Sequence, residues 1–496
     1  MSETTETPTY RKINVPTQYR QAAKILQQVS EGKSLKDLVY NNKHIRVGTT
    51  IAMLNKIQAN ERQLDQIIGK TDILQKIPNK YLATYLVAEL IFGRGELSGF
   101  SKPVECVRSY HEKLKEALLD LGETPKTNIN LYHKVPRYVR LNTLMMKKAE
   151  AMEYFEREGW KYIENTFETY DEFLEAVKNL DDESYLSDFH IKNLYVFPPS
   201  SKKYFASNEL AAEGKFLLQD KASCLPSFLL SPPHKSTVLD MCSAPGNKTT
   251  HLAAIMKNKG KIYAVEMNTR RYNTLVEMTQ ATNATIIHTI NRDVLEITDE
   301  DVPNVEYILL DPSCSGSGIA NRSISDNHKD SSRLYKLSGL QFKLLTHAMT
   351  SFPNVTRIVY STCSIYPEEN EEVVLSCLQK VGNFRLVNAG EILKNQWKNY
   401  GNEKSYPGIG QNVLYASNDD DCSDLTNGFF VAVLEKFDGL NEFYLEKQQK
   451  ISAHNEKFGK RKAEWTPEAN AEENVAVENE EKPVKKKKKW INKCYQ

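Results

Sequence analysis

The stretch Val238-Leu-Asp-Met-Cys-Ser-Ala-Pro-Gly-Asn-Lys-Thr-Thr250 decides the fold of this 496-residue chain. Its apolar start, with Thr237 before it, predicts a buried strand that ends at Asp240. The sequence Ala-Pro-Gly then predicts a tight turn, and the segment 248–256 predicts an amphipathic helix. A strand that feeds a small-residue turn at a helix N-terminus is where doubly wound α/β folds bind nucleotide-like ligands.

Two better-known nucleotide motifs do not match this turn. The dinucleotide pattern Gly-x-Gly-x-x-Gly is absent, and the phosphate-loop pattern Gly-x-x-x-x-Gly-Lys-Ser/Thr is not met. The turn therefore predicts a nucleotide-like ligand that needs no pyrophosphate cradle.

Composition places the chain among soluble proteins of several domains. Apolar residues make up 40% and charged residues 26%, and the length favours about three domains. No charge-free run approaches the ~20 residues of a membrane span, and the N-terminus has no signal-peptide core. The eight cysteines form no Cys-x-x-Cys pair and have no histidine at zinc-ligand spacing. We therefore expect an intracellular protein with free thiols, no membrane segment and no metal.

Hydrophobic patterning divides the chain into five segments. Residues 1–14 are polar and expected to be disordered, and 15–125 read as a helical N-terminal module. Residues 130–210 form a small α/β subdomain, which we expect to bind RNA. Residues 211–437 alternate between strand and helix patterns, which predicts a mainly parallel sheet covered on both faces. Residues 447–496 are expected to be a disordered, charged tail, because their composition cannot bury a core.

Within the helical module, the segment 80–93 is apolar on most sides and ends at Gly93. It is predicted to be the central helix of the module, whose role is structural or RNA-docking. The tail holds the lysine run Lys485–Lys489. This run is interpreted as a nuclear localisation signal or an RNA contact, with a solubilising tail as the alternative.

The small subdomain carries basic and acidic stretches. Strands are predicted at 137–143 and 194–197, with a helix at 147–159. The basic residues at its start either contact phosphates or form a charged exposed strand face; they are His133, Lys134, Arg137 and Arg140. The acidic stretch 164–183 is expected to be solvated.

The α/β domain is predicted in more detail. Its expected strands are 237–240, 261–266, 284–290, 305–311 and 356–362, and its expected helices are 247–258, 268–282, 334–350 and 368–381. The segments 384–387 and 428–436 are predicted to be a terminal pair of strands, with a polar insert at 400–427 between them.

Carboxylates follow successive strands of this domain. Asp240, Glu266, Asp293 and Asp311 stand at or just after four strand ends, which is the ligand edge of such a sheet. Glu266 is placed to accept hydrogen bonds from two ribose hydroxyls, and Asp293 from an exocyclic adenine amine. Each could instead cap the following helix.

Two cysteines also follow strands, in loops of small polar residues. Cys314 lies in Asp311-Pro-Ser-Cys-Ser-Gly316, and Cys363 lies in Tyr360-Ser-Thr-Cys-Ser364. A free cysteine is usually a small buried apolar residue, but these settings offer the access and donors that a nucleophilic thiolate needs. Disulfide redox chemistry is a competing interpretation, although it would more naturally use a Cys-x-x-Cys pair.

Together these motifs resemble the NSUN (Nol/Nop/Sun) RNA cytosine-C5 methyltransferase family. The resemblance covers about residues 131–435 and rests on Asp240–Thr249, Asp311–Gly316 and Ser361–Ser364, in that order. Leu218–Pro226, Glu89–Gly95 and the Pro-Ser-Cys wording at 312–314 are most similar to the fifth branch, which acts on large-subunit rRNA. The resemblance implies a Rossmann-like methyltransferase domain at 211–437.

The resemblance also implies roles for matching residues. Cys363 would attack C6 of the cytosine, Asp311 would bind the base edge and help protonate its ring nitrogen, and Cys314 would assist removal of the C5 proton. Lys248 would position substrate and cofactor. Proline usually precedes the assisting cysteine, where this chain has Ser313, and we expect Pro312 to preserve the loop.

The implied cofactor is S-adenosylmethionine. Its predicted site comprises Cys242, Ser243, Ala244, Pro245, Gly246, Asn247, Lys248, Glu266, Arg271, Asp293 and Asp311. On a helix, Arg271 could equally be a surface charge. Cys242 is interpreted as part of the cofactor wall.

The sequence thus predicts an rRNA cytosine-C5 methyltransferase of the nucleus and nucleolus whose partner is large-subunit rRNA or a pre-ribosome. DNA cytosine methyltransferases also attack C6 with a cysteine, but they take that cysteine from the motif after the fourth strand. A resemblance to them would make Cys314 the nucleophile. A pre-rRNA-binding assembly factor and a tRNA cytosine-C5 methyltransferase are the alternatives. A protein methyltransferase has no use for two active cysteines. The target cytosine and the oligomeric state do not follow from the sequence.

Overall fold

The computed structural model describes residues 14–31, 38, 39, 42, 45–121, 135–164, 166–319, 331–417 and 423–463. The expected disordered start (1–13), the basic residues His133 and Lys134 and the Lys485–Lys489 run lie outside the described residues. The chain divides into two compact units, Met1–Asn441 and Glu442–Gln496.

The N-terminal part of the first unit is helical. Its helices are α1 (Thr17–Ser30), α2 (Val47–Ala59), α3 (Glu61–Gly69), α4 (Ile73–Lys76), α5 (Lys80–Ala88), α6 (Lys102–Ser109) and α7 (His111–Leu119). Helix α5 packs against α1, α2, α3 and α6, and a π-helical turn, Glu89–Gly93, extends it. The Asn79 side chain caps α5 by accepting a hydrogen bond from the Leu82 N–H. The central helix predicted at 80–93 is confirmed.

A five-stranded sheet follows. Its strands are β1 (Arg137–Leu141), β2 (Lys161–Ile163), β3 (Ser184–Ser187), β4 (Leu194–Phe197) and β5 (Phe216–Leu218), in the order β2-β3-β4-β1-β5. Helices α8 (Lys148–Arg157), α9 (Tyr170–Lys178), α10 (Lys202–Ala206) and α11 (Glu209–Ala212) lie between these strands in sequence. The buried ring of Phe155 in α8 stacks on Phe216, with centroids 4.8 Å apart, and meets Phe197 edge-on at 5.0 Å. An aromatic core therefore fixes α8 to the sheet.

Two expectations for this region are corrected. Strand β5 pairs with β1, so the sheet extends beyond the boundary expected at residue 210; a three-residue strand is too short to show an alternating pattern. The stretch 164–183, expected to be solvated, contains α9, whose Tyr170, Phe173 and Leu174 are buried. Its acidic residues lie on the opposite face of an amphipathic helix.

The suggestion that Arg140 contacts phosphate is also wrong, because this side chain is only 1% exposed. Its Nε donates to Gln219 Oε1 (2.6 Å), and its Nη2 donates to the Asn247 carbonyl (3.2 Å) and to Thr250 Oγ1 (3.0 Å). Arg140 therefore ties the five-stranded sheet to the start of the helix that follows the opening turn. Arg137, at the strand start, is partly exposed.

The remaining elements of the first unit form a doubly wound domain. Its strands are β6 (Thr237–Asp240), β7 (Lys261–Val265), β8 (Ile287–Ile290), β9 (Tyr307–Leu310), β10 (Arg357–Thr362), β11 (Phe384–Val387), β12 (Leu414–Ala416) and β13 (Phe429–Lys436). Its helices are α12 (Lys221–Leu230), α13 (Asn247–Ile255), α14 (Thr269–Ala281), α15 (Ser331–Thr350), α16 (Glu371–Leu378) and α17 (Ala389–Ile392).

The order of the sheet is β11-β13-β10-β9-β6-β7-β8, and β12 pairs with β13. Neighbours from β10 to β8 are parallel, whereas β13 runs antiparallel to β10 and β11. The chain passes from β6 to β7 on one side and later places β9 on the other. The strand order therefore reverses at β6, and a crevice forms at its carboxyl end.

The predicted strands of this domain are all present, with small shifts of their ends. Strand β8 begins at Ile287 rather than at residue 284, and the predicted helix 368–381 is a 3-10 turn, Pro367–Glu369, followed by α16. Strand β12, inside the polar insert, was not predicted. The doubly wound fold class is confirmed.

The second unit contains helix α18, Glu442–Ala463. Disorder was expected from residue 447, so this expectation is wrong over 447–463. Within the described part of the chain, no helix combines the length and the apolar character that crossing a membrane requires.

Candidate active site

The turn after β6 is held in a shape that only glycine adopts easily. Gly246 has φ +112°, and a Cβ at this position would lie 3.1 Å from Leu275 Cδ1 and 3.3 Å from Met278 Sδ of α14. The turn therefore lies directly against α14. Gly246 also precedes α13, whose N-terminus has no side-chain cap. Its first N–H groups can thus face an anionic ligand.

Asp240 and Ser243 brace this turn from inside. Asp240 is 1% exposed and accepts a hydrogen bond from Thr249 Oγ1 (2.7 Å). Ser243 Oγ bonds the carbonyls of Asp240 (2.8 Å) and Val265 (3.1 Å). Burial raises the pKa of Asp240 to about 7, and the Asp311 charge acts in the same direction against the Thr249 hydrogen bond. Asp240 thus supports the turn from below.

Glu266, which follows β7, is joined to the turn by Arg271. The Glu266 side chain is 6% exposed; its Oε2 lies 3.1 Å from Arg271 Nη1, and its Oε1 accepts from the Asn268 N–H (2.8 Å). Arg271 Nη2 donates to the Ala244 carbonyl at 2.5 Å. The arginine thus bridges the acidic strand end and the turn rather than standing as an isolated surface charge.

Asp293 and Cys242 complete the predicted set. Asp293 Oδ1 accepts from the Leu295 N–H (3.0 Å), so this carboxylate caps the 3-10 turn Val294–Glu296, the alternative role foreseen for a strand-end acid. Burial, followed by the charges of Asp240 and Asp311, raises the pKa of Cys242 far above its ordinary value. Its thiol therefore stays protonated, which suits a residue that lines the cofactor site and does not act as a nucleophile.

An ion pair lies beside the turn, between α13 and the end of β9. Lys248 Nζ is 2.8 Å from Asp311 Oδ2 and 3.2 Å from Ser223 Oγ, and it lies 5.2 Å from the ring centre of Phe429. The other carboxylate oxygen of Asp311 accepts from Ser361 Oγ (2.8 Å). Burial, the largest single effect, opposes the charge on Lys248. The pairing with Asp311 and the nearby Cys363 and Asp240 together outweigh burial and raise the pKa of Lys248.

The two predicted cysteines meet at the same edge of the sheet. Cys314 Sγ and Cys363 Sγ are 2.8 Å apart, within hydrogen-bond contact, and both residues are partly exposed. The hydrogen bond to Cys363 and burial together raise the pKa of Cys314 well above its ordinary value. In this contact either sulfur can be the donor.

A network of small residues joins the two cysteine loops. Gly318 N–H donates to the Cys363 carbonyl (2.9 Å), and Ser364 Oγ lies within 3.2 Å of the hydroxyls of Ser315 and Ser317. A Cβ at Gly318 would lie 2.2 Å from the Gly428 carbonyl oxygen. Glycine is thus required where the backbone approaches β13 closely.

Several residues that support this site were not predicted as site residues. Ser223, Ser361 and Phe429 surround the Lys248–Asp311 pair, and Gln341 with Glu369 supports the Cys314 loop. Ser361 stands two residues before Cys363 and could have been found by its spacing. The others come from distant parts of the sequence.

The six cysteines in the described part of the chain are free. Within the same residues, no group of three or more histidine, cysteine, aspartate or glutamate side chains could hold a metal ion.

Fold and site together define a methyltransferase with a doubly wound domain. Residues 227–435 match the family model described as 16S rRNA methyltransferase RsmB/F, and residues 135–219 match that of the NOL1/NOP2/Sun domain family member 5, ferredoxin-like domain. The chain belongs to the NOL1/NOP2/Sun family of cytosine-C5 methyltransferases, in the branch of member 5.

The rRNA methyltransferases of two organisms match this chain over nearly their whole length. The chain is 45% identical to the 28S rRNA (cytosine-C(5))-methyltransferase of Drosophila melanogaster, over 86% of this chain and 97% of that protein. It is 32% identical to the 25S rRNA (cytosine-C(5))-methyltransferase rcm1 of Schizosaccharomyces pombe, over 84% and 90%. The crystal structure of PH0851 has a similar fold, with a TM-score of 0.55, 21% identity and coverage of 86% of this chain and 100% of that one.

S-adenosylmethionine is the cofactor of this methyltransferase, and the residues at the turn fit it. The uncapped N-terminus of α13 suits a carboxylate, and the buried Glu266 carboxylate suits hydroxyl donors.

Proposed function

We propose that this protein methylates C5 of a specific cytosine in large-subunit rRNA, with Cys363 as the nucleophile and Cys314 as the residue that completes the reaction. The 2.8 Å contact between their sulfurs, next to the Lys248–Asp311 pair, carries the proposal. The relatives named as 28S and 25S rRNA methyltransferases support the choice of RNA. We place the protein in the nucleus and nucleolus, where large-subunit rRNA is made.

The first step activates the base. Cytosine C5 is a poor nucleophile until a covalent bond at C6 interrupts the aromatic ring. The Cys363 thiolate forms a bond to C6 as the C5–C6 π bond breaks. The displaced electron pair moves through the ring to the ring nitrogen, which takes a proton from solvent with the help of Asp311. Lys248 holds Asp311 in position through their ion pair. The cytosine leaves any base stack to reach these groups.

S-adenosylmethionine, when bound, supplies the methyl group that C5 accepts, and Cys242–Lys248 with Glu266, Arg271, Asp293 and Asp311 would hold it. Arg271 keeps the Glu266 carboxylate and the Ala244 backbone in a fixed relation for this purpose.

The last step restores the aromatic ring. Once Cys363 is bonded to C6, the contact between the two sulfurs that raises the pKa of Cys314 is lost. Cys314 can then release its thiol proton to solvent, and the resulting thiolate accepts the proton on C5. The electron pair of the C5–H bond becomes the C5–C6 double bond, the bond from C6 to Cys363 breaks, and Cys363 leaves as a thiolate. The proton on the ring nitrogen returns to solvent, with Asp311 beside it, and this gives neutral 5-methylcytosine.

Single cysteine substitutions test these roles. Cys363→Ala is expected to abolish methyl transfer and covalent adduct, whereas Cys314→Ala is expected to accumulate a protein–RNA adduct that resists denaturing electrophoresis. Cys106→Ala, in the helical module, serves as the matched control. Adduct in Cys363→Ala and none in Cys314→Ala would overturn the assignment and make Cys314 the nucleophile.

Bisulfite mapping tests the substrate. Large-subunit rRNA from cells without the protein is expected to lack one C5-methylcytosine, which wild type restores and Cys363→Ala does not. Loss of a tRNA mark instead would favour the tRNA alternative. Full rescue of every deletion phenotype by Cys363→Ala would favour the assembly-factor alternative.

A further inference from the structure

Glu369 is a buried acid that the proposed chemistry does not use. It is 0% exposed and ends the 3-10 turn Pro367–Glu369, six residues after Cys363. Among the described residues, its Oε2 accepts no hydrogen bond. Burying a carboxyl group costs free energy of folding unless hydrogen bonds offset the loss of water. The hydrogen bonds that Glu369 does make therefore indicate its role.

Those contacts reach both sides of Cys314. Glu369 Oε1 accepts from the Ser315 N–H (2.9 Å) and from Gln341 Nε2 (3.0 Å). The same Gln341 nitrogen donates to the Ser313 carbonyl at 3.0 Å. The backbone before and after Cys314 is therefore held by one carboxylate and one amide, both completely buried.

Glu369 is itself fixed to the strand that carries Cys363. Tyr360 Oη donates to the Glu369 carbonyl at 2.6 Å, and Tyr360 lies in β10, which is paired on both sides. The Cys314 loop has no such sheet support, because it follows the end of β9. Loss of the Glu369 carboxylate or the Gln341 amide would therefore free the backbone on either side of Cys314, whereas Cys363 directly follows a strand that is paired on both sides.

We propose that Glu369, with Gln341, is a positioning residue for the release step. Their hydrogen bonds to the backbone on both sides of Cys314 hold its sulfur next to that of Cys363. This proposal rests on the proposed function, and it explains which side chains hold Cys314 beside Cys363. It distinguishes two steps of one reaction, because bond formation at C6 needs Cys363 and proton removal from C5 needs Cys314.

The test separates the two steps in the full-length protein. Glu369→Ala is expected to accumulate covalent protein–RNA adduct, as Cys314→Ala does, with multiple-turnover methyl transfer reduced at least tenfold and single-turnover methyl transfer within about threefold of wild type. Glu369→Gln keeps an oxygen for the Ser315 N–H and is expected to release product normally. Glu372→Ala, an exposed neighbour, is the matched control and is expected to show no adduct.

A second variant covers a failure of Glu369→Ala to fold, which loss of S-adenosylmethionine binding and a lower Tm would reveal. Gln341→Leu keeps the side-chain volume and removes the Ser313 contact, and it is expected to accumulate adduct. If folded Glu369→Ala, or Gln341→Leu in its place, forms no adduct while Cys314→Ala does, the positioning role is overturned and the proposed function stands. If Cys314→Ala forms no adduct, the proposed function itself fails.

Discussion

Lys248 Nζ lies 2.8 Å from Asp311 Oδ2, which joins the first turn of α13 to the residue that follows β9. The pair connects the turn assigned to the cofactor with the carboxylate assigned to the base. Ser361 Oγ holds the other Asp311 oxygen, so the carboxylate has one fixed orientation. This arrangement lets Lys248 serve both ligands without a covalent role.

Lys248→Met is expected to lower kcat/KM for methyl transfer by about 100-fold, because Asp311 loses its cation and its orientation in a partly buried site. Methionine retains most of the apolar stem that passes Phe429. Steady-state methyl transfer to the RNA measures the effect, and Lys259→Met, an exposed lysine beyond the same helix, is the control. Equal kcat/KM in the two variants would remove Lys248 from the site.

Arg271→Ala is expected to weaken S-adenosylmethionine binding about tenfold, because the arginine makes a charge-assisted contact with Glu266 and another with the Ala244 carbonyl. Isothermal titration of the cofactor alone measures this change in Kd. Arg270→Ala removes the adjacent, exposed arginine and is expected to leave Kd unchanged. The same Kd in both variants would make Arg271 a surface charge.

The doubly wound sheet, and the position of Cys314 and Cys363 at one edge of it, could be predicted because both follow from the order of strands along the chain. Apolar runs mark the parallel strands, and the ends of parallel strands share one edge of a sheet. Strands β5 and β12 were missed because three residues carry too little alternation.

Contacts between distant segments could not be predicted in this way. Gln341 lies within the predicted helix 334–350, and nothing local indicates that its amide reaches Ser313. Arg140 follows the pattern of an exposed basic strand, yet the packing of β1 against α13 buries it. Tertiary packing, not propensity, decides these side chains.

No role was predicted for Lys221, and its charged side chain is completely buried. Its Nζ lies 2.7 Å from Asp188 Oδ2 and 4.5 Å from the ring centre of Tyr170. Asp188→Asn keeps an oxygen for the backbone N–H groups of His190 and Ile191 but removes the carboxylate charge that pairs directly with the buried Lys221 cation. The free energy of unfolding is expected to fall by about 3 kcal/mol.

Denaturant unfolding at neutral pH measures this loss, with the exposed Asp182→Asn as control. Adding Lys221→Met to Asp188→Asn removes the lysine charge as well and is expected to recover at least half of the loss. A double variant as unstable as Asp188→Asn alone would show that the lysine charge is not the cause.

His190 is expected to make the protein less stable at acidic pH. Burial, with the Lys221 charge next, lowers the pKa of His190 from 6.5 to about 3, against the opposing effects of Asp188 and the Gln396 carbonyl. The folded state favours the neutral ring, so its stabilising contribution is complete above pH 6.5 and is lost as the pH falls from 6.5 toward 3. At pH 4.5 this loss is about 2–3 kcal/mol relative to pH 7.

The difference between the unfolding free energies at pH 7 and pH 4.5 is therefore expected to be smaller in His190→Gln than in wild type. His234→Gln, an exposed histidine, is expected to keep the wild-type difference, and an unchanged difference in His190→Gln would contradict the assignment.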